Sequence, residues 1–296
     1  RTSAVPRETT LNFPATGAAT KYETINWLNE NTLNYKYLLN GKHSFDALIG
    51  ISEQKESWDR LSAGASNFPT EYVPYISAGI VSSGTQQLSE WSMVSLISRI
   101  QYSYADKYML TATLRRDGRS RFGKNNKWGT FPSISLGYNI SEEPFMESVN
   151  LINVLKLRAS YGLAGNNQIG NYSHIALLTP SNYVANNAKV PGLVPSTLSN
   201  DDLTWEKSKQ TNIGLDISIL NNRISLTTDI YKDNKVDLLL QAQLPAASGF
   251  TSAMQNVGEV ENKGIEINLN TVNIKTGKFE WTSNFTFSRN INEVKN

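Results

Sequence analysis

The sequence predicts an all-β protein: a wall of about ten long antiparallel strands, of the kind that closes into a transmembrane barrel. Three observations predict it. Apolar and polar residues alternate through most of the chain. The connections between alternating runs are by turns short and long, as in membrane barrels with short periplasmic turns and long outer loops. The runs are roughly 10–16 residues, against ~5–6 for ordinary soluble strands and ~9–11 for a tilted membrane-crossing strand.

The runs follow in order. Leu33, Tyr35, Tyr37 and Leu39 alternate with polar neighbours and end at Asn40-Gly41, a hairpin turn because both residues accept positive φ. Phe45, Ala47, Ile49 and Ile51 form the return strand, and the stretch 53–89 then reads as irregular. Val94, Leu96, Ile100, Tyr102 and Tyr104 lead through a short turn at Ala105-Asp106-Lys107 to Tyr108, Leu110, Ala112 and Leu114. A loop over 117–127 precedes Ile134, Leu136, Tyr138 and Ile140; a compact link over 141–153 leads to Leu155, Leu157, Ala159 and Tyr161. A long Asn- and Pro-rich stretch, 163–204, separates these from Ile213, Leu215, Ile217 and Ile219. An Asn221-Asn222 turn joins Ile224, Leu226, Thr228 and Ile230. A loop over 241–256 precedes Ile265, Ile267 and Leu269, and a Thr276-Gly277 turn precedes Phe279, Trp281, Phe285 and Phe287.

Composition narrows the function classes. The chain has 296 residues, a net charge of +2, no cysteine and two histidines, His43 and His174. So small a charge argues against a nucleic-acid partner. The absence of cysteine excludes disulfides and thiolate metal sites, and two distant histidines leave little scope for another metal site. No Ser–His–Asp signature, P-loop or nucleotide fingerprint is present, so an enzyme has no residues to rest on and no cofactor is expected. Asp229, Asp233 and Asp237 lack the compact glycine-containing loop of a calcium site. The chain opens without Met or an apolar leader and reads as an internal part of a longer protein. Tyr102, Tyr104, Tyr108 and Tyr138 near short turns, and Trp91, Trp128 and Trp205 near long loops, sit where a lipid–water girdle falls. Pattern alone leaves a soluble or secreted β-sandwich open.

Four segments stand out: YMLTATLRRDGRSRFGKNNKWGTFPSISL (108–136), LKLRASYGLAGNNQIGNY (155–172), TWEKSKQTNIGLDISILNNRISLTTDIYKDNKVDLLL (204–240) and GFTSAMQNVGEVENKGIEINL (249–269). They resemble the SusC/RagA family of outer-membrane TonB-dependent transporters. They stand in the family's order and span most of the chain. Departures are Arg119 for the usual Ser, Tyr138 for Trp, and Asp233 and Lys235 ahead of the DLL run. The resemblance implies that residues 1–296 are an incomplete part of a larger, ~22-stranded barrel around a plugged lumen, without the plug. It implies active uptake of glycans or peptides across the outer membrane of a Gram-negative, Bacteroidota-type bacterium. The implied partners are a SusD-like surface lipoprotein, the TonB–ExbB–ExbD complex through a region not in this chain, and outer-membrane lipid. The resemblance also admits a homodimer of the transporter–lipoprotein pair. Adhesion by a surface β-protein, and a barrel subunit of a secretion assembly, are the other readings.

Candidate contact residues follow. Arg115, Arg116, Asp117, Arg119 and Arg121 form the densest charged segment; guanidinium forks suit carboxylates on a plug, partner or substrate, while the plain alternative is a solvated strand end. Asn166 and Asn167 open a long loop and are equally ordinary turn residues. Tyr72, Tyr75, Tyr183 and Phe250, with Phe68, are aromatic in loops that solvation alone does not require, and such residues anchor interfaces. Arg99, Arg158, Asp216 and Glu266 fall on polar faces and are expected to line the lumen, because Lys or Arg facing mid-bilayer lipid costs ~2–4 kcal/mol. Thr111 and Ser135 join them. Leu96, Leu110, Leu136, Leu157, Ile217 and Leu269 are expected to face lipid.

Overall fold

A computed structural model describes residues 2–5, 15–70, 72–73 and 75–295. Strand β1 (Thr2–Val5) is followed by β2 (Thr16–Leu39), β3 (His43–Ser66), β4 (Ile80–Tyr104), β5 (Tyr108–Arg119), β6 (Trp128–Asn139) and β7 (Ile152–Asn166). Four three-residue strands come next: β8 (Leu178–Pro180), β9 (Tyr183–Ala185), β10 (Ala188–Val190) and β11 (Leu193–Pro195). Then follow β12 (Glu206–Ile219), β13 (Ile224–Val236), β14 (Leu239–Gln243), β15 (Ser252–Asn256), β16 (Glu259–Lys275) and β17 (Glu280–Val294). One 11-stranded sheet has the order β1-β2-β3-β4-β5-β6-β7-β12-β13-β16-β17, and β8 pairs with β11, β9 with β10 and β14 with β15. Among the described residues no helix is long and apolar enough to cross a membrane.

The ten predicted runs are strands, and β1 adds an eleventh. Three corrections apply. The stretch 53–89 is not irregular: β3 continues to Ser66 and β4 begins at Ile80, each strand reaching 24 or 25 residues. Alternation reveals a strand only where one face is continuously apolar, and in Glu53–Ser66 the few apolar residues, Trp58, Leu61, Ala63 and Ala65, are split between the two faces. The loops 163–204 and 241–256 also carry pairing of their own, in β8–β11 and β14–β15. Asn186 and Asn187 turn the first of these hairpins with φ of 51° and 59°, the positive pair that a tight I′ turn needs. Finally, the short–long rhythm is not strict. The link 140–151, at a short position, holds the 3-10 turns Ile140–Glu142 and Pro144–Met146 and outruns the loop 120–127.

The described chain divides into two compact units, Arg1–Asn29 with Glu53–Met93, and Glu30–Ser52 with Val94–Asn296. The first holds a small core of Ala15, Ala65 and Phe68, with Ile76 and Ala78 against it. Phe68 is thus buried inside its own loop, not presented to a partner. Trp91 in the same unit is buried too, its indole N–H donating to Glu56 at 3.1 Å, so it is no girdle residue.

In the second unit the register sorts side chains onto two faces. Residues directly opposite in neighbouring strands share a face, and the face changes at every residue. One row runs Leu157–Leu215–Thr228–Ile267–Phe287, flanked by Leu155–Ile217–Leu226–Leu269–Phe285 and Ala159–Ile213–Ile230–Ile265–Arg289. This face is apolar and uncovered: Leu136, Leu157, Ile213, Ile230, Phe285 and Phe287 are all exposed. The opposite face carries Arg158–Gly214–Asp229–Glu266–Ser288 and Thr111–Ser135–Ser160–Asn212–Tyr231. At the short-turn end of the apolar face, rings follow one another. His43 lies 4.7 Å from Tyr104, Phe45 lies 4.9 Å from Tyr102, and Tyr108 stacks on Tyr138 at 5.0 Å.

Candidate functional site

On the polar face of the second unit, Arg158 sits at the centre of an ion cluster. Its Nε and Nη2 donate to Asp216 at 2.8 and 3.1 Å, and its Nη2 donates to Asp229 at 3.1 Å. β7 supplies the arginine, and β12 and β13 the two carboxylates. The planar fork holds both at once and meets Asp216 through two parallel N–H bonds, a geometry that a lysine point charge does not fix. Glu266 on β16 is the next residue of that row. Arg99 projects from β4, and its buried Nε makes no hydrogen bond among the described residues. The three acidic positions discounted as a calcium site are spread among local partners. Asp229 is held by Arg158, Asp233 accepts from the Ser208 hydroxyl, and Asp237 pairs with Lys207 at 3.5 Å.

At the other end of the same strands, three loops fuse around a core of Phe122, Phe131, Ile169, Leu203 and Trp205. Phe122 and Leu203 are fully buried. The Trp205 ring lies 4.9 Å from Phe122 and 5.4 Å, edge-on, from Phe131, and its indole N–H donates to the Lys127 carbonyl at 3.2 Å. Trp205 is therefore the centre of a loop core, not a girdle residue; aromatic content alone does not tell the two apart. Leu163, Leu239 and Met254 pack against the cluster from β7 and the β14–β15 hairpin. Asn256 ties that hairpin down, donating to the carbonyls of Thr204 and Asp237 at 2.8 and 2.9 Å and accepting from the Thr204 N–H.

The arginine-rich segment borders this core. The Arg115 Nε donates to both Asp117 oxygens at 2.8 Å, and its Nη2 donates to Ser95. The Arg116 guanidinium lies 5.1 Å over the Trp128 ring. Arg119 donates to Asn167 at 2.7 Å and Arg121 to Asn171 at 2.6 Å, while His174 Nδ1 meets the Arg121 carbonyl at 2.9 Å. Asn166 donates to Glu206 and accepts the Gln168 N–H, a side-chain-closed turn. The predicted contact residues thus meet as loop fasteners. Gly123 is needed for the fit, since a Cβ there would stand 2.2 Å from the Asp201 carbonyl oxygen.

The aromatic candidates differ in exposure. Tyr72 is 94% exposed, Tyr75 70% and Tyr183 56%, whereas Phe250 is half-buried. Missed at the sequence level were Phe122, Leu203 and Trp205 as a joint core. Their only sequence signal is bulk apolar residues inside otherwise polar loops.

Residues 3–296 match the family model described as TonB dependent receptor-like, beta-barrel. The chain belongs to the TonB-dependent receptor β-barrel family. TonB-dependent receptor P39 of Formosa agariphila is 40% identical over 270 residues, covering 90% of this chain and 26% of that relative. TonB-dependent receptor SusC of Bacteroides thetaiotaomicron is 34% identical over 287 residues, covering 90% of this chain and 28% of its own length. The chain therefore spans little more than a quarter of these curated relatives. Among solved structures, the RagAB peptide transporter superposes with a TM-score of 0.91 at 30% identity, over 99% of this chain and 33% of the matched chain. The outer membrane transporter YddB from Escherichia coli, at 12% identity and a TM-score of 0.62, shares the fold.

Proposed function

We propose that residues 1–296 form part of the barrel wall, and outer-face loops, of a SusC/RagA-type importer. In this reading it resides in the outer membrane of a Bacteroidota-type bacterium and takes up peptides or glycans with TonB-delivered energy. The observation that carries it is the pair of opposed faces in the second unit. The apolar face is uncovered, and from Ile213 to Ile219 on β12 it extends about 20 Å at ~3.4 Å per residue, close to the ~25 Å apolar band of an outer-membrane barrel. A soluble sandwich would bury such a face. The polar face, with Arg99, Arg158, Asp216 and Glu266, then lines the lumen.

The fused loops and the exposed Tyr183 of the second unit support a lipoprotein partner, and the exposed Tyr72 and Tyr75 of the first unit are a separate candidate contact. The likeness to the RagAB peptide transporter favours a peptide substrate. The test is deletion of the full-length gene and complementation in its host, reading uptake of labelled peptides and glycans with and without a protonophore. Restored, protonophore-sensitive uptake is the expected outcome. Uptake indifferent to the gene or to the proton gradient defeats the reading.

A further inference from the structure

The apolar face of the second unit ends abruptly in cations. One row toward the long loops from Ile230 and Ile265, Lys232 and Lys263 stand directly opposite each other on β13 and β16. Like charges in that position repel. Glu261, one row further on, takes both: its carboxylate lies 2.8 Å from Lys232 Nζ and 3.3 Å from Lys263 Nζ. Lys295 Nζ approaches the same carboxylate at 3.7 Å and Glu293 at 2.6 Å. The Glu261 side chain is only 8% exposed, whereas Lys232 and Lys263 are about half exposed, at 54% and 49%. One buried carboxylate thus gathers three ammonium groups, two of them on lysines about half exposed. Lys209 shares the row of Glu261 through Asn234, and the exposed Arg289 ends the row of Ile230 and Ile265. Even with Glu259 and Glu293 counted, cations exceed carboxylates five to three on this patch of the face.

We infer that this patch binds the phosphate-bearing headgroup of a membrane lipid, whose acyl chains lie along the apolar rows Ile213–Ile230–Ile265 and Leu215–Thr228–Ile267. Two independent features on one face carry this. The apolar rows match hydrocarbon, and the ammonium cluster begins where hydrocarbon ends, each Lys or Arg near an anionic headgroup adding to attraction. A soluble anion would have no use for the rows, and an acidic protein would have to reach past the headgroup layer. The inference rests on the proposed membrane placement, with the long loops outside.

The experiment uses the full-length receptor reconstituted in phosphatidylcholine nanodiscs doped with lipid A or with dephosphorylated lipid A, followed by native mass spectrometry of the retained lipid. The wild type is expected to retain the phosphorylated form about tenfold over the other. Substitution of Lys232→Gln, Lys263→Gln and Lys295→Gln, with Glu261→Gln so that no carboxylate is left unpaired, is expected to abolish the preference. Replacing the same three lysines by Arg is expected to keep it. Equal retention of both lipids, or a preference unchanged in the Gln variant, overturns the lipid site while leaving the barrel reading intact. Failure of the wild type to enter any nanodisc overturns both. Excess inorganic phosphate is expected not to displace the lipid; displacement would show that the acyl rows contribute nothing and overturn the assignment.

Discussion

Arg158 reaches Asp229 across the bare backbone of Gly214. The three residues are neighbours in one cross-strand row, and a Cβ at Gly214 would stand 2.6 Å from both the Arg158 guanidinium and an Asp229 oxygen. A glycine in a strand interior ordinarily weakens it. Here it makes room for a guanidinium to lie over β12 and bind carboxylates on β12 and β13 together. Gly214→Ala should therefore push the fork off Asp229 and destabilise the wall by about 1–3 kcal/mol, the usual cost of overpacking. Heat-modifiability on gels checks this; an unshifted transition would mean that the cluster tolerates rearrangement.

Trp205→Ala should open the fused loops while sparing the sheet. Removing a fully packed indole costs about 3–5 kcal/mol, and here the loss falls on loops, not on the strand ladder. Limited proteolysis should then cut within 167–205 and 237–258, with the heat-modified band unchanged. Trp205→Phe should be cut less, because it keeps one ring against Phe122 and Phe131 and loses only part of the indole with its bond to Lys127.

The turn at 140–151 should be acid-sensitive. The Tyr108 hydroxyl donates to the Glu143 carboxylate at 2.6 Å, and that bond, with Lys107 helping, holds Glu143 below the usual carboxylate range. A carboxylate depressed in the folded state stabilises at pH above its unfolded value, ~4.3, and loses that contribution as pH falls through the folded value. Stability measured from pH 7 downward should decline in that window for the wild type and more weakly for Glu143→Gln. Parallel profiles would remove Glu143 as the cause.

Single cysteines test the two faces. Leu96, Leu110, Leu136, Leu157, Ile217 and Leu269 positions should react with a lipophilic maleimide, and Thr111, Ser135 and Glu266 positions with a hydrophilic one. A one-residue slip would flip every side chain, so mixed labelling along one strand would break the assigned registers.

Tyr72 and Tyr75 present aromatic area at the tip of the β3–β4 hairpin. Tyr72→Ala with Tyr75→Ala should lower lipoprotein co-purification about tenfold, as loss of an aromatic anchor commonly costs 1–2 kcal/mol. Undiminished recovery with a barrel that still folds would place the partner elsewhere.

Much of this was readable from residue order alone. Alternation is local: a side chain's face depends only on its position parity, so Leu157 and Arg158 declare opposite faces without any knowledge of their neighbours. The Asn40-Gly41 and Asn221-Asn222 turns declare themselves equally, because positive φ is a single-residue property. The arginine segment shows the limit. Its charge was visible, but not that Arg119 and Arg121 grip Asn167 and Asn171.

What residue order determined was the β class, the parity of each strand and the tight Asn turns, all set within a few residues by sterics and hydropathy. The tertiary structure decided the partners. Arg158 finds its carboxylates 58 and 71 residues away, and Trp205 bonds a carbonyl 78 residues back. It also extended β3 and β4 through segments with no continuous apolar face, because a backbone ladder needs only a neighbouring strand, and hydrogen bonding between main chains leaves no mark in the side chains.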